Sequence, residues 1–562
     1  MIINLARAAL IIGTFFLLNA TSVAIAQDSE YYYVGDERVP LRPSNSYRAF
    51  KVSVEGGASG LRALRRHVSK KEEAEQAPLL DKYNIILVPA AGPSSMRALR
   101  DIVRGAPETR QIESEPPVYD LDGTDQILVN EFLVQFENGV PEQQAQNELM
   151  AAGAQITEQP LKITGRYKIT FPNTNELQAL TKSNALHESP TVKFSQPNFI
   201  RILPATPQTN QRERQGTGIP TPAQCAASLN FNDPLFSCQW ALKNVKAVEA
   251  WRTTTGSSTI IVAILDEGVD TSHPELREAV VTPYDAVDGD DDQTPLLGDA
   301  HGTACAGIVG AKAKNGLGVV GIAPGVKIMP VRIATGETGS RWVTTDQIIE
   351  DGIRTAADRG AHVLSNSWGG GGPSNAITSG FEYALSKGRT IVIAAGNKFS
   401  SVSYPANLSI SHDIIAVSAT NEADEFKSPK SSDGEYEWGS NHGPQISISA
   451  PGVHIPTSDI AGTGGYSPDD YTLTFNGTSS ATPHVAGAAA LVLSIDPTLT
   501  PAQVRDILQR SADDLGEPGF DEFFGYGRLN VEQAVQMAQK NLAGRLNQSA
   551  PAAAHNSSDR PK

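Results

Sequence analysis

The chain has 562 residues, a formal net charge of -16 and an isoelectric point near 5.2. Its length allows roughly two to four domains, and a 40% apolar share is enough to bury a core. The acidic balance argues against nucleic acid as a partner and suits a soluble exported protein.

Residues 1–26 carry an early Arg7, an apolar stretch from Ala8 to Leu18, and Ala24-Ile25-Ala26 before Gln27. This pattern predicts a cleaved secretory signal peptide, because the apolar run is too short to span a membrane. No later segment reads as a span, so no membrane partner is expected and the localisation is secreted, extracellular or periplasmic. Residues 27–127 read as an α+β unit, with a hairpin over 31–36 and a strand over 83–89. Residues 128–202 read as βαββαβ, with strands over 131–136, 154–158, 167–171 and 192–200 and helices over 141–152 and 176–183. Residues 203–230 form a linker rich in Pro, Thr, Gln and Gly. It contains Arg212-Glu213-Arg214-Gln215, a segment open to maturation cleavage.

An apolar run over 260–265 then predicts a parallel strand buried on both faces, ending at Asp266. Open α/β sheets place their sites at such carboxyl ends, although an aspartate there can equally be a turn former. The following loop holds Asp285, Asp288, Asp290, Asp291 and Asp292. Carboxylates so close repel unless solvated or metal-bound, and both readings stand. His301 opens a helix of small residues; a buried, hydrogen-bonded imidazole is the plainer reading of it. Gly316, Gly318 and Gly321 match a dinucleotide-binding spacing, but a helix precedes them and Ala323-Pro324 follows, so that reading is rejected. A buried strand over 391–395 ends in Gly396-Asn397. Last comes Asn476 to Gly487, where Ser479 starts a helix and Pro483 is expected in its first turn. A serine there caps the helix or, near the positive end of the helix dipole, serves as a nucleophile. His484 is five residues on, rotated by about 140° away from Ser479, and cannot serve it as base. His273 is expected to make a structural hydrogen bond.

Together Asp266, His301 and Ser479 supply the carboxylate, imidazole and hydroxyl that serine acyl transfer uses. The motifs run Asp-x-Gly-Val-Asp-x-x-His-Pro-x-Leu from Asp266, His-Gly-Thr-x-Cys-Ala-Gly from His301 and Gly-Thr-Ser-x-Ala-x-Pro-His-Val-Ala-Gly from Gly477. In type and order they resemble the subtilisin-like serine proteases, over roughly Asn232 to Val535. Ser480 stands where many members of that family carry methionine. The resemblance implies an α/β fold: a parallel-sheet catalytic domain over 231–540, preceded by an α+β, ferredoxin-like propeptide over 128–202. The polar, Ala-rich composition of 541–562 predicts a disordered tail. The resemblance also implies a secreted serine endopeptidase made as a self-processed zymogen, with protein or peptide substrates and its own propeptide as intramolecular inhibitor.

Under that resemblance the catalytic residues are Asp266, His301 and Ser479, with Asn397 donating to the oxyanion. Ser367, Trp368, Gly369, Ala395 and Gly396 line the substrate cleft, whose small walls imply a preference for apolar P1 residues. Lys398 is expected to disfavour basic ones. The implied cofactor is structural Ca2+, held by Asp233, Glu275 and Asn315, with a second candidate site at Asp285, Asp290 and Asp292. Glutamate at 275 departs from the aspartate usual in the family. Cys225 and Cys238 can pair in an oxidising compartment, whereas Cys305 is expected beside His301 and buried. A processor dedicated to one exported partner, or a silent peptide-binding relative, are the rival functions.

Overall fold

The computed structural model describes residues 30–549, apart from 57, 73–78, 91–95, 108, 159–162, 205–224, 226–230 and 337–340. The expected signal peptide, the segment Arg212 to Gln215 and residues 550–562 lie outside the described residues, whereas 541–549, expected as disordered tail, continue the helix Val531–Ser549.

The centre is a seven-stranded, all-parallel sheet. Its strands lie in the order Tyr284–Asp285, Lys327–Arg332, Ile261–Asp266, Val363–Asn366, Thr390–Ala394, Ile414–Thr420 and Ile448–Pro451. The two-residue period of a strand divides its apolar side chains between two cores. Val262 and Ile264 face the helices His301–Gly310 and Thr478–Ile495. Ala263 and Leu265 face the helices Asp346–Asp358 and Asn375–Ser386. Burial on both faces explains why these strands read as continuous apolar runs.

Small residues let the first two helices press against the sheet. A methyl group on Gly302 would lie 2.0 Å from the Gly268 carbonyl oxygen and 3.0 Å from an Asp266 carboxylate oxygen. Glycine there allows the helix to start against the end of the Asp266 strand. The expectation for Pro483 needs correction. Its helix begins at Thr478, so Pro483 is the sixth residue and lies in the second turn.

Residues 132–197 fold as the expected βαββαβ unit. The strands Gln155–Glu158, Arg166–Thr170, Phe132–Phe136 and Val192–Pro197 are antiparallel in that order. The helices are Glu142–Ala151 and Glu176–His187, the second running past its expected end from an Asn175–Gln178 capping box. The strand expected over 192–200 is broken at Asn198 and Phe199. A new strand, Ile200–Pro204, then joins a different sheet.

That sheet has six strands in the order Thr335–Gly336, Arg341–Thr345, Ile200–Pro204, Thr124–Ile127, Val118–Leu121 and Arg42–Pro43. It stitches three parts of the chain together. Residues 30–127 add a four-stranded sheet and the hairpin Tyr31–Val34 with Glu37–Pro40. The strand expected over 83–89 begins at Ile85, because 81–83 form a turn of 3-10 helix. Cys225 and Cys238 form a disulfide. Among the described residues no helix is long and apolar enough to cross a membrane.

Candidate active site

Three adjacent strands of the parallel sheet end together: Ile261–Asp266, Val363–Asn366 just before Ser367, and Thr390–Ala394 just before Gly396 and Asn397. The amino ends of the His301 and Ser479 helices point at the same place, and such ends favour negative charge.

Asp266 and His301 are both buried, and His301 Nδ1 lies 2.9 Å from each Asp266 carboxylate oxygen. The carboxylate therefore fixes the proton on Nδ1 and leaves Nε2 for the cavity. Burial pulls the His301 pKa down, but Asp266 outweighs it and Glu267 adds to it, so the imidazole is held above its ordinary range. The rings of Trp342 and Phe475 meet the imidazole edge to face at 5.1 and 5.3 Å.

Ser479 is tied to Ser367 in both directions. Its Oγ donates to the Ser367 carbonyl at 2.9 Å, and Ser367 Oγ donates to the Ser479 carbonyl at 2.9 Å. Pro483 explains the second bond. Four residues along the helix it has no N–H, so the Ser479 carbonyl must find donors elsewhere. Cys305 is the other one, its Sγ 3.6 Å from that oxygen and 3.8 Å from His301 Nδ1.

Asn397 is held by its oxygen, which accepts from Thr478 N at 2.8 Å and Thr478 Oγ1 at 2.9 Å. With the oxygen committed, the amide NH2 is turned to the opposite side. Asn397, His301 and Ser479 line one cavity of about 310 Å³. Ser367, Trp368, Gly369 and Gly396 line it as expected. Ala395 does not: it is buried in the sheet core, and its neighbour Ala394 is on the wall instead.

Other parts of the wall had no motif to announce them. Glu435, Glu437 and Trp438 come from a distant loop. Glu435 accepts from His454 Nε2 at 2.7 Å and from Asn476 Nδ2 at 3.1 Å. Their carboxylates change the expected charge of the cleft, for which only Lys398 was foreseen. Lys398 lines the cavity, but its Nζ donates to the carbonyls of Asp122 and Gly123 at 2.7 and 2.9 Å. Pro204 is also on the wall, where the strand Ile200–Pro204 runs antiparallel to Arg341–Thr345.

His484 and His273 stand apart from the cavity. His484 Nδ1 meets the Ser480 carbonyl at 2.8 Å, and burial pushes its pKa down to about 4. His273 makes its expected structural bond, Nε2 lying 3.0 Å from the Asp470 carbonyl.

The candidate metal ligands divide. Asp233 and Glu275 are both buried and bracket Asn315: Asn315 N donates to Asp233 at 3.2 Å and Asn315 Nδ2 to Glu275 at 2.7 Å. Among the described residues neither carboxylate has an ion-pair partner. Burial, with Asp233 adding to it, raises the Glu275 pKa. Two buried carboxylates without a counter-charge fit a dication that takes oxygen donors. The second cluster does not fit. Asp285 and Asp288 are paired with Arg332, and Asp291 with Arg359. Asp290 accepts from Asp292 N, and Asp292 from Thr294. The Arg332 guanidinium supplies at Asp285 the charge expected of an ion, while Asp290 and Asp292 are exposed to solvent. Asp266, His301 and Cys305 also bring ligand atoms within 4.8 Å of one another. Nδ1 is already held by Asp266, and burial pushes the Cys305 thiol far from its thiolate, so that group does not suit a metal.

Residues 257–527 match the model of the Subtilase family, peptidase S8. The chain is 36% identical over 311 residues to thermitase of Thermoactinomyces vulgaris, covering 54% of this chain and 99% of that protein. It is 29% identical over 586 residues to a calcium-dependent protease of Trichormus variabilis, covering 93% of this chain and 78% of that one. Among solved structures, fervidolysin of Fervidobacterium pennivorans, described as a keratinolytic enzyme related to subtilisin, aligns with a TM-score of 0.59 and 27% identity. That alignment covers 74% of this chain and 62% of fervidolysin.

Proposed function

The chain belongs to the subtilase family of serine endopeptidases, and from that premise we propose an exported protease made as a zymogen, with Ser479 as nucleophile. The observation that carries this reading is the single cavity shared by Ser479, Asn397 and the Asp266–His301 pair.

In this reading Ser479 Oγ attacks the scissile carbonyl and His301 Nε2 takes its proton, later returning it to the leaving amine. Asp266 fixes the tautomer and steadies the imidazolium. The oxyanion is met by Asn397 Nδ2 and by the backbone N–H of Ser479 at the helix start. An extended substrate pairs its main chain with Arg341–Thr345 and the Ser367–Gly369 segment, and the small walls at Gly369, Ala394 and Gly396 favour an apolar P1 side chain. Glu275, Asp233 and Asn315 hold a structural calcium ion, in line with the calcium-dependent relative.

The zymogen reading rests on Ile200–Pro204, which occupies the Arg341–Thr345 edge that a substrate needs. A signal peptide over 1–26 and cleavage in 205–230 complete the proposal. A fluorophosphonate probe should label the purified protein at Ser479 and abolish casein digestion. Labelling that persists in Ser479→Ala, or casein digestion by that variant, would overturn the assignment.

A further inference from the structure

One wall of the catalytic cavity is built by a loop that the mechanism above does not use. Glu435, Glu437 and Trp438 line the cavity beside His301, Asn397 and Ser479, on the loop that leaves the strand Ile414–Thr420. The loop is organised by a buried cation of its own. Lys427 is fully buried, and its Nζ donates to the Ser428 and Glu435 carbonyls at 2.7 and 2.5 Å and to Ser431 Oγ at 3.2 Å. Asp433 pairs with it at 3.2 Å, and the centre of the Trp438 ring lies 5.0 Å from the ammonium. Two further ties fix the wall against the catalytic groups. The Glu435 carboxylate takes His454 and Asn476, the latter three residues before Ser479. Phe399, two residues beyond Asn397, donates its N–H to the Gly439 carbonyl at 2.8 Å.

Order along the parallel sheet gives the half of the cleft that this wall serves. The Arg341–Thr345 edge comes after the second strand in that order, Ser367 after the fourth and Asn397 after the fifth. The Glu437 loop follows the sixth. Ile200–Pro204 runs along the edge with Ile200 opposite Thr345 and Pro204 opposite Arg341, and Pro204 is on the cavity wall. A substrate laid in that direction keeps its acyl half on the edge. Past the scissile bond its chain continues toward the Glu437 wall.

The cations near that wall are already engaged. Lys427 is paired with Asp433 inside the loop, and His454 meets Glu435. Lys398 is held on the acyl half, by the carbonyls of a hairpin that pairs with Ile200–Pro204. Lys430 is exposed on the same loop and is not one of the wall residues. Glu437 is exposed and, among the described residues, has no hydrogen bond or ion pair. Resting on the protease reading, we infer that Glu437 is a specificity-determining residue for the leaving half of the substrate. It takes a Lys or Arg side chain within two residues after the scissile bond. A carboxylate open to water gains only modestly from such a pair, about two- to fivefold, so it biases the choice of bond without being required.

The test is kcat/KM on two sets of fluorogenic peptides, with the cut located by mass spectrometry. One set carries Arg, Gln or Glu directly after the scissile bond, and the other carries them one residue further on. In at least one set the wild type should favour Arg over Gln by about two- to fivefold and disfavour Glu. Glu437→Gln should abolish that preference, Glu437→Asp should keep part of it, and Glu437→Lys should turn it toward Glu. Raising salt from about 0.05 to 0.5 M should shrink the wild-type ratio and leave that of Glu437→Gln unchanged, because only the former rests on charge. A wild-type ratio of Arg to Gln near one in both sets overturns the inference, as does a preference that Glu437→Gln retains. A wild type that cuts no peptide and takes no fluorophosphonate would instead defeat the protease reading itself.

Discussion

Ser367 and Ser479 hold each other by two reciprocal hydrogen bonds, each hydroxyl donating to the other residue's carbonyl at 2.9 Å. Because Pro483 has no N–H to offer the Ser479 carbonyl, the cleft wall and the start of the Ser479 helix are locked by side chains. Pro483→Ala would restore the helical donor and set it in competition with Ser367. Losing about 1 kcal/mol from that lock should lower kcat about fivefold. Melting temperature should rise, since an interior proline weakens a helix. Unchanged kcat with a higher melting temperature would reduce the serine pair to packing.

Asn397 is aimed by Thr478. Asn397→Ala should reduce kcat by about 100- to 1,000-fold with little change in KM, as for the corresponding oxyanion donor of subtilisin itself. Thr478→Val removes only the hydroxyl that orients Asn397 and should cost about tenfold, in kcat again. Steady-state kinetics on a single peptide substrate separates the two parameters, and a loss confined to KM would contradict the role.

Arg201 and Asp346 form an ion pair in which both side chains are 1% exposed, joining the strand that enters the cleft to a helix beneath it. Breaking one side of such a pair costs about 3–5 kcal/mol. In a Ser479→Ala background, Arg201→Ala should therefore speed limited proteolysis at the Ile200–Pro204 strand by at least about 100-fold. Replacing both partners by Arg201→Met and Asp346→Leu should recover much of the resistance. Equal cleavage rates in all three proteins would argue that the strand is held by backbone pairing alone.

Calcium removal gives a signed prediction. Saturating calcium should raise the melting midpoint by roughly 5–15 °C over the chelated protein. Glu275→Gln removes a buried charge that the ion would neutralise. It should be the more stable protein in chelator and the less stable in calcium, a crossing that calorimetry can read. Parallel curves would place the ion elsewhere.

The residues most legible in the sequence were those fixed by local pattern. Asp266 closes an apolar strand, His301 and Ser479 open helices of small residues, and Asn397 follows a strand and a glycine. Each of these environments is written within about a dozen neighbouring positions. The antiparallel βαββαβ unit was legible for the same reason. What escaped depends on distant partners. Arg332, far along the chain, neutralises the acidic loop at Asp285, and no local window contains both. Glu435 and Glu437 reach the cavity through a loop without periodicity. Pro483 falls in the second turn because the helix is capped at Gly477 and starts at Thr478, ahead of Ser479. The break at Asn198 and Phe199 was hidden because both flanking strands are apolar enough to read as one.

Under the proposed zymogen reading, Lys398 would change its surroundings on maturation. Its ammonium is engaged by the carbonyls of Asp122 and Gly123, which belong to a hairpin outside the catalytic sheet. Under the zymogen reading that hairpin leaves with the pro-region, so the two carbonyls would go with it and a solvated positive charge would appear at the mouth of the cavity. In that reading the cleft that first meets a substrate would differ electrostatically from the covered one. Acidic side chains near the scissile bond would be welcomed only by the processed form, so cutting the chain would alter selectivity as well as access.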